Sequence, residues 1–363
     1  TLFPYTTLFR SIDFYSSLVN KLYYDPDVRY IPPVVASSFS ADNPEGVSMG
    51  NADASSNGAL NDPYLSPSSG RTDLTKKCYY STATPPLVPT TSNCRTYSST
   101  YRYGPIAFSA YYYQYTGGGI PTPGSSTSYV RRDIVSENAP FTRAASRTDC
   151  STSESGRSCS YAQEIQNFAN WHSYYRTRIL TMKTTMGQAF AAMGNKYRVG
   201  FSTINNSEQT GNPTGQNFRS IADFTDATKR TWYTTLYGID PIYGTPLQKA
   251  LQRVGQYYSG DGMGYSDSVG EEDPVQYSCQ QNFAILSTDG YWNSNTVDVG
   301  NQDRTVPEIP ASALNPPADP GLTAGARWPR PIYEGPTATS DTLADVAAYY
   351  WVNDLRPDRK RHV

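Results

Sequence analysis

The stretch at residues 282–293, NFAILSTDGYWN, sets one carboxylate at the end of a run able to hold it rigidly. Four successive apolar residues, 283–286, are the pattern of a strand covered on both faces. They lead straight into Ser287, Thr288, Asp289 and Gly290. In an open α/β sheet, ligands bind beyond the carboxyl ends of the strands. Asp289 there either offers oxygen to a cation or a partner, or hydrogen-bonds the Asp-Gly turn that it opens. Counting narrows the other chemistry. The 363 residues include two histidines, His172 and His362, which almost excludes imidazole metal sites and Ser-His triads. His172 falls inside a helical pattern and reads as a helix-face residue rather than a base. Asp267, Glu271, Glu272 and Asp273 lack calcium-loop spacing and read as a solvated charge cluster. No pair of carboxylates has a recognisable context for glycoside hydrolysis.

Five cysteines carry the remaining reactive chemistry. Cys78 and Cys94 flank a Pro/Thr/Ser loop, and Cys150 and Cys159 flank a Ser/Gly loop. Neither pair has ligand spacing or a histidine companion, so two local disulfides in an oxidising compartment fit better than zinc. Each such closure stabilises by about 3 kcal/mol where the geometry permits. Cys279 is left over as a small buried thiol. With 17% charged residues and a net charge of −2, the chain offers no nucleic-acid surface. Its 31 Tyr, 27 Gly and 27 Pro, set among Ser, Thr and Asn, suit a secreted or cell-surface protein rich in ordered loops.

The elements that must position these groups are read in chain order. Residues 1–11, TLFPYTTLFRS, resemble a translated sequencing-library adapter and are set aside from the fold, so the natural N-terminus is expected to be missing. Neither a signal peptide nor a membrane span is visible. Residues 12–160 read as a long, irregular, disulfide-pinned insertion rich in Tyr, Ser, Gly and Pro, opening on LYYDPDVRYIPP at 22–33. Residues 161–358 carry the regular elements. Phe168, Trp171, Tyr175, Ile179, Met182, Met186, Phe190 and Met193 draw one apolar stripe, which predicts a single helix of about seven turns packed into a core. Arg178, Lys183, Thr184 and Gln188 fall on its other side. A strand is expected over 197–204 and a helix over 225–236 ended by Gly238. Thr245 reads as the N-cap of a helix with Pro246 at its first position, and Ser340 as the cap of a last helix. Alternating short strands and long helices argue for an α/β fold with a doubly wound sheet.

Taken together, LYYDPDVRYIPP (22–33), NFANWHSYYRTRILTMK (167–183), YRVGFSTIN (197–205), GTPLQKALQRVGQYY (244–258), CQQNFAILSTDGYWN (279–293) and YYWVNDLRPD (349–358) resemble the N-terminal, von Willebrand factor A-like domain of the PilY family. These are type IV pilus biogenesis proteins and tip adhesins, called PilC in some bacteria. The resemblance covers most of the chain from Leu22 onward. It implies a Mg2+ or similar divalent cation at the top of the sheet, with Thr245 matching the Thr ligand and Asp289 the Asp ligand. The Asp-x-Ser-x-Ser loop that completes such a site has no match, since Asp13-Phe-Tyr-Ser-Ser17 places Tyr15 where a serine is required. A truncated A-like sheet lacking its first strand, with cation binding weak or absent in this chain, is therefore expected. The resemblance further implies a non-enzymatic role in pilus assembly and surface adhesion. Minor pilins or a host-surface receptor would be the partners, at the pilus tip or outer surface of a Gram-negative bacterium. The alternatives are a secreted A-type matrix-adhesion protein unrelated to pili and a carbohydrate-active hydrolase.

Overall fold

The computed structural model describes residues 12–55, 58–64, 70–79, 107–121, 128–154, 156–205, 217–240, 244–260, 272–277, 280–288, 290, 292–293, 297–302, 339–353 and 355–356. The chain divides into two compact units, Thr1–Met193 and Gly194–Val363. Both mix helices with small sheets. Among the described residues every strand pair is antiparallel, in sheets of two or three strands, where the alternation of elements predicted a doubly wound sheet.

In the first unit β1 (Ala59–Leu60) pairs with β2 (Arg71–Thr72), β3 (Lys77–Cys78) with β4 (Ala107–Phe108), and β5 (Tyr111–Tyr115) with β6 (Tyr129–Asp133). β9 (Gly156–Cys159) lies between β7 (Phe141–Arg143) and β8 (Ser151–Ser153), and the Cys150–Cys159 disulfide is formed. Cys94 and Cys279 lie outside the described residues, so the expected Cys78–Cys94 bridge does too. The ribbons pack on α1 (Tyr161–Tyr174), which opens on a capping box. There the Gln163 N–H donates to the Ser160 hydroxyl and the Ser160 N–H to the Gln163 side chain. Ile165, Phe168, Ala169, Trp171 and Tyr174 then meet Tyr24, Ala59, Leu74, Ala110, Tyr112 and Ile134 in one core. Of the predicted stripe Phe168 and Trp171 are core and Tyr175 packs partly buried against it, whereas Ile179, Met182, Met186, Phe190 and Met193 are only half-buried.

A polar row beside that stripe grips the phrase at 22–33 by its main chain. The Asn167 amide takes the Tyr30 N–H at 2.9 Å and donates to the Val28 carbonyl at 2.8 Å. Asn170 takes the Ala52 N–H and donates to the Tyr30 carbonyl, and the Trp171 indole donates to Leu22. At the start of the helix Glu164 is fully buried. It accepts from Tyr24 at 2.8 Å, from Arg143 at 2.9 Å and from Arg147 at 2.8 Å. Arg147 also pairs with Asp149, and despite burial its carboxylate partners hold the guanidinium above its ordinary value. A carboxylate in so dry a place persists only because every oxygen is occupied.

The predicted seven-turn helix is instead two. α1 ends at Tyr174, and α2 (Arg178–Ala191) restarts after Thr177, whose hydroxyl accepts from the Leu180 N–H. Two threonines seal the break, Thr184 donating to the Tyr174 carbonyl and Thr181 to that of Tyr175. Lys183 and Thr184, expected on the outer side, are consequently buried, at 1% and 0% exposure.

The second unit opens with the hairpin β10 (Arg198–Ser202) and β11 (Phe218–Asp223), bulged at Gly200. A Cβ there would stand 2.8 Å from Ile221. α3 (Asp226–Tyr237) runs from its Thr225 cap to Gly238, matching expectation, and sets Trp232 against Phe201 and Phe224. α4 (Leu247–Ser259) ends on Gly260 in the left-handed region, φ 78°. α5 (Leu343–Val352) crosses it closely, since a Cβ on Gly255 would lie 2.2 Å from the Tyr350 ring. Its cap is Thr342, boxed with Asp345, rather than Ser340, because Asp345 stands three residues on to close the reciprocal pair.

One expectation is overturned outright. Residues 283–286, predicted to be a buried strand, form no strand pairing among the described residues, and Phe283 and Ile285 are 76% and 86% exposed. Among the described residues the Tyr258 hydroxyl ties the run down, donating to the Phe283 carbonyl at 3.0 Å. An apolar run is covered only if neighbouring strands reach it. The described strands nearest in sequence, β10 and β11, pair with each other.

Candidate functional site

Three loops of the second unit meet at the N-terminal end of α4. The first leaves β10 and reaches Asn205, whose side-chain N–H donates to the Gly244 carbonyl at 3.0 Å. The second is Gly244-Thr245-Pro246, which starts the helix. The third closes the 282–293 stretch. Asn293 accepts the Thr245 N–H on its side-chain oxygen at 2.7 Å and donates its own N–H to the Thr245 carbonyl at 3.0 Å. Residues 48 positions apart in sequence are thus tied by a reciprocal pair of hydrogen bonds. Glycine at position 244 leaves room for this bond, because a Cβ would sit 2.6 Å from the Asn293 side-chain oxygen and push it from its present place.

The expected N-cap role of Thr245 is not what the geometry gives. Pro246 occupies the cap position without a side-chain bond, and Thr245 instead supplies its carbonyl to Leu247 at 2.9 Å. Its main chain is therefore fully engaged on both sides. Its hydroxyl has no hydrogen-bond partner among the described residues and is half-buried. A threonine relieved of capping duty is free to bind something else through oxygen. Ser287 and Thr288 are exposed close by in the chain, and Asp289, the other residue read as a ligand, lies outside the described residues.

These groups do not by themselves fit a hard cation. Mg2+ and Ca2+ take six to eight oxygens, and Thr245 supplies one. Among the described residues no three of His, Cys, Asp and Glu are grouped to hold a metal. Asp13, in the phrase closest to an Asp-x-Ser-x-Ser loop, is fully buried in the first unit, where Tyr15 stacks on Tyr111. His172, also in that unit, is pushed down to about 3 by burial and by Arg176 beside it, far below the operating pH that suits a general base, so its ring holds a proton too weakly for that role.

The acidic segment is structural where it is described. Asp273 takes both Arg356 nitrogens, at 2.7 and 2.9 Å, and Glu272 pairs with Arg198 at 3.0 Å. Sequence reasoning missed these arginine partners, and it missed Asn205 and Asn293. The available signal was Asn293 closing the same apolar-to-turn phrase that carries Asp289. No helix among the described residues is long and apolar enough to cross a membrane.

No family model and no solved structure matches the chain. It is similar to proteins named type IV pilus biogenesis factor PilY1 from three Pseudomonas aeruginosa strains. Identity to the PAO1 protein is 30% over 259 residues, 69% of this chain and 19% of the relative. To the PAK protein it is 31% over 271 residues, 74% of this chain and 20% of the relative. To the UCBPP-PA14 protein it is 32% over 248 residues, covering 68% and 18%. The chain thus spans about a fifth of the length of the curated relatives it matches.

Proposed function

We propose that this chain is a non-enzymatic binding portion of a PilY-type protein, acting in type IV pilus assembly and in adhesion at the pilus tip or cell surface. The observation that carries the reading is the similarity to PilY1 over about 70% of the chain. The loop cluster at the head of α4 is the binding rim, with pilus components such as minor pilins as the partners. It belongs to a von Willebrand factor A-like domain, a reading that rests on the resemblance of the phrases at 244–258 and 279–293. Thr245 and Asp289 are the two positions that would contribute to a Mg2+ site of the kind the resemblance implies.

The test is a chimera. In Pseudomonas aeruginosa lacking its own PilY1, the matched region is replaced by the corresponding residues of this chain, and surface pili are counted by electron microscopy. Restored piliation is expected. A chimera that is stable and exported yet leaves the cells bald overturns the proposal.

A further inference from the structure

The rim's partner-facing loops are separate stretches of chain, and nothing in their composition keeps them in register. The reciprocal bond pair between Asn293 and Thr245 does so. It engages the Thr245 main chain on both sides, stops that residue from folding back as a helix cap, and leaves its hydroxyl uncommitted. Asn205 holds the Gly244 carbonyl from the opposite loop, so the segment before α4 is gripped from two directions. The missing side chain at Gly244 is the gap into which the Asn293 oxygen fits.

We propose that Asn293 is the positioning residue of the rim: with Gly244 it latches the loop that follows the apolar run onto the head of α4, so that both are presented to a partner as one surface. This deepens the pilus-binding reading above and rests on it. A latch of this kind makes three demands. Removing the acceptor must free Thr245, crowding the gap must do the same, and the two changes must not add, because either alone opens the same contact. An aspartate, which keeps an acceptor oxygen at the same reach, must preserve it.

The experiment measures amide hydrogen exchange at Thr245 in the full chain for wild type, Asn293→Ala, Asn293→Asp, Gly244→Ala and the double alanine variant. Expected is about tenfold faster exchange at Thr245 in each alanine variant, the scale of a lost hydrogen bond. No further gain is expected in the double variant, near wild-type exchange in Asn293→Asp, and unchanged protection in α3. Unaltered exchange in Asn293→Ala, or additive effects, overturns the latch whatever the protein's role. The same single variants are placed in the piliation chimera. Loss of pili with Asn293→Ala and retention with Asn293→Asp is expected. Full piliation by Asn293→Ala overturns the positioning role while leaving the pilus reading intact, because the unmutated chimera tests that reading separately.

Discussion

Lowering the pH from 7 to 5 should destabilise the first unit through a single side chain. His172 is held at about 3 in the folded chain against an ordinary 6.5, because burial and the neighbouring Arg176 both disfavour the imidazolium. Below 6.5 the unfolded chain therefore takes up a proton that the folded chain refuses. Stability is complete above 6.5 and drains as pH falls toward 3. At pH 5 the unfolded ring is almost fully protonated and the folded ring almost fully neutral. The linkage then amounts to about 2 kcal/mol, a figure that hardly moves if the folded value is 4 rather than 3. His172→Gln offers the Arg176 guanidinium an acceptor without a titrating ring, so the pH-dependent loss should vanish in that variant. The assay is urea unfolding of protein labelled at its tryptophan indoles, followed by NMR through the Trp171 indole. Trp171 donates to the Leu22 carbonyl inside the unit concerned and is the one tryptophan among residues 1–193. An equal loss between pH 7 and 5 in wild type and variant, or a His172 ring that titrates near 6.5, would refute the reasoning.

Three further outcomes are expected. Glu164→Gln strands Arg143 and Arg147 beside a neutral amide and should cost about 3–5 kcal/mol in the same Trp171 assay, and a loss under 1 kcal/mol would mean the cluster is incidental. Ile285→Lys places a charge in the bare apolar run, and light scattering of concentrated chain should fall without a change in circular dichroism; unchanged self-association would place the sticky surface elsewhere. Calorimetric titration of Mg2+ or Mn2+ should give weak binding or none, because Thr245 is one oxygen against six to eight, and micromolar affinity would contradict the ligand count.

Local signals in the sequence were sound where the cause was local. Thr225 and Gly238 delimit α3, Gly260 ends α4, and Cys150 finds Cys159 across a short loop. Signals failed where a distant neighbour decided. The apolar period runs unbroken from Trp171 through Tyr175 to Ile179, so it hid the stop that Thr177 and the Thr181 and Thr184 hydroxyls impose. The run at 283–286 has the composition of a covered strand, but composition cannot supply the strands that would cover it. At the site, Thr245 carried every mark of a cap, and only a partner 48 residues away turned its main chain to another use. The family resemblance pointed to Thr245 and Asp289, whereas the contacts that hold the rim together belong to two asparagines and a glycine.

The grip of α1 on residues 22–33 has a different kind of consequence. Asn167, Asn170 and Trp171 hold peptide groups at Leu22, Val28 and Tyr30, so along 28–31 what they hold is the path of the backbone, while at Tyr23 and Tyr24 Trp171 and Asn167 also meet the side chains. Val28 and Ile31, which point to solvent, can therefore drift freely, while a proline at position 30 would remove the N–H that Asn167 needs. The segment can change its outward face, and whatever that face touches, without loosening its hold on the helix.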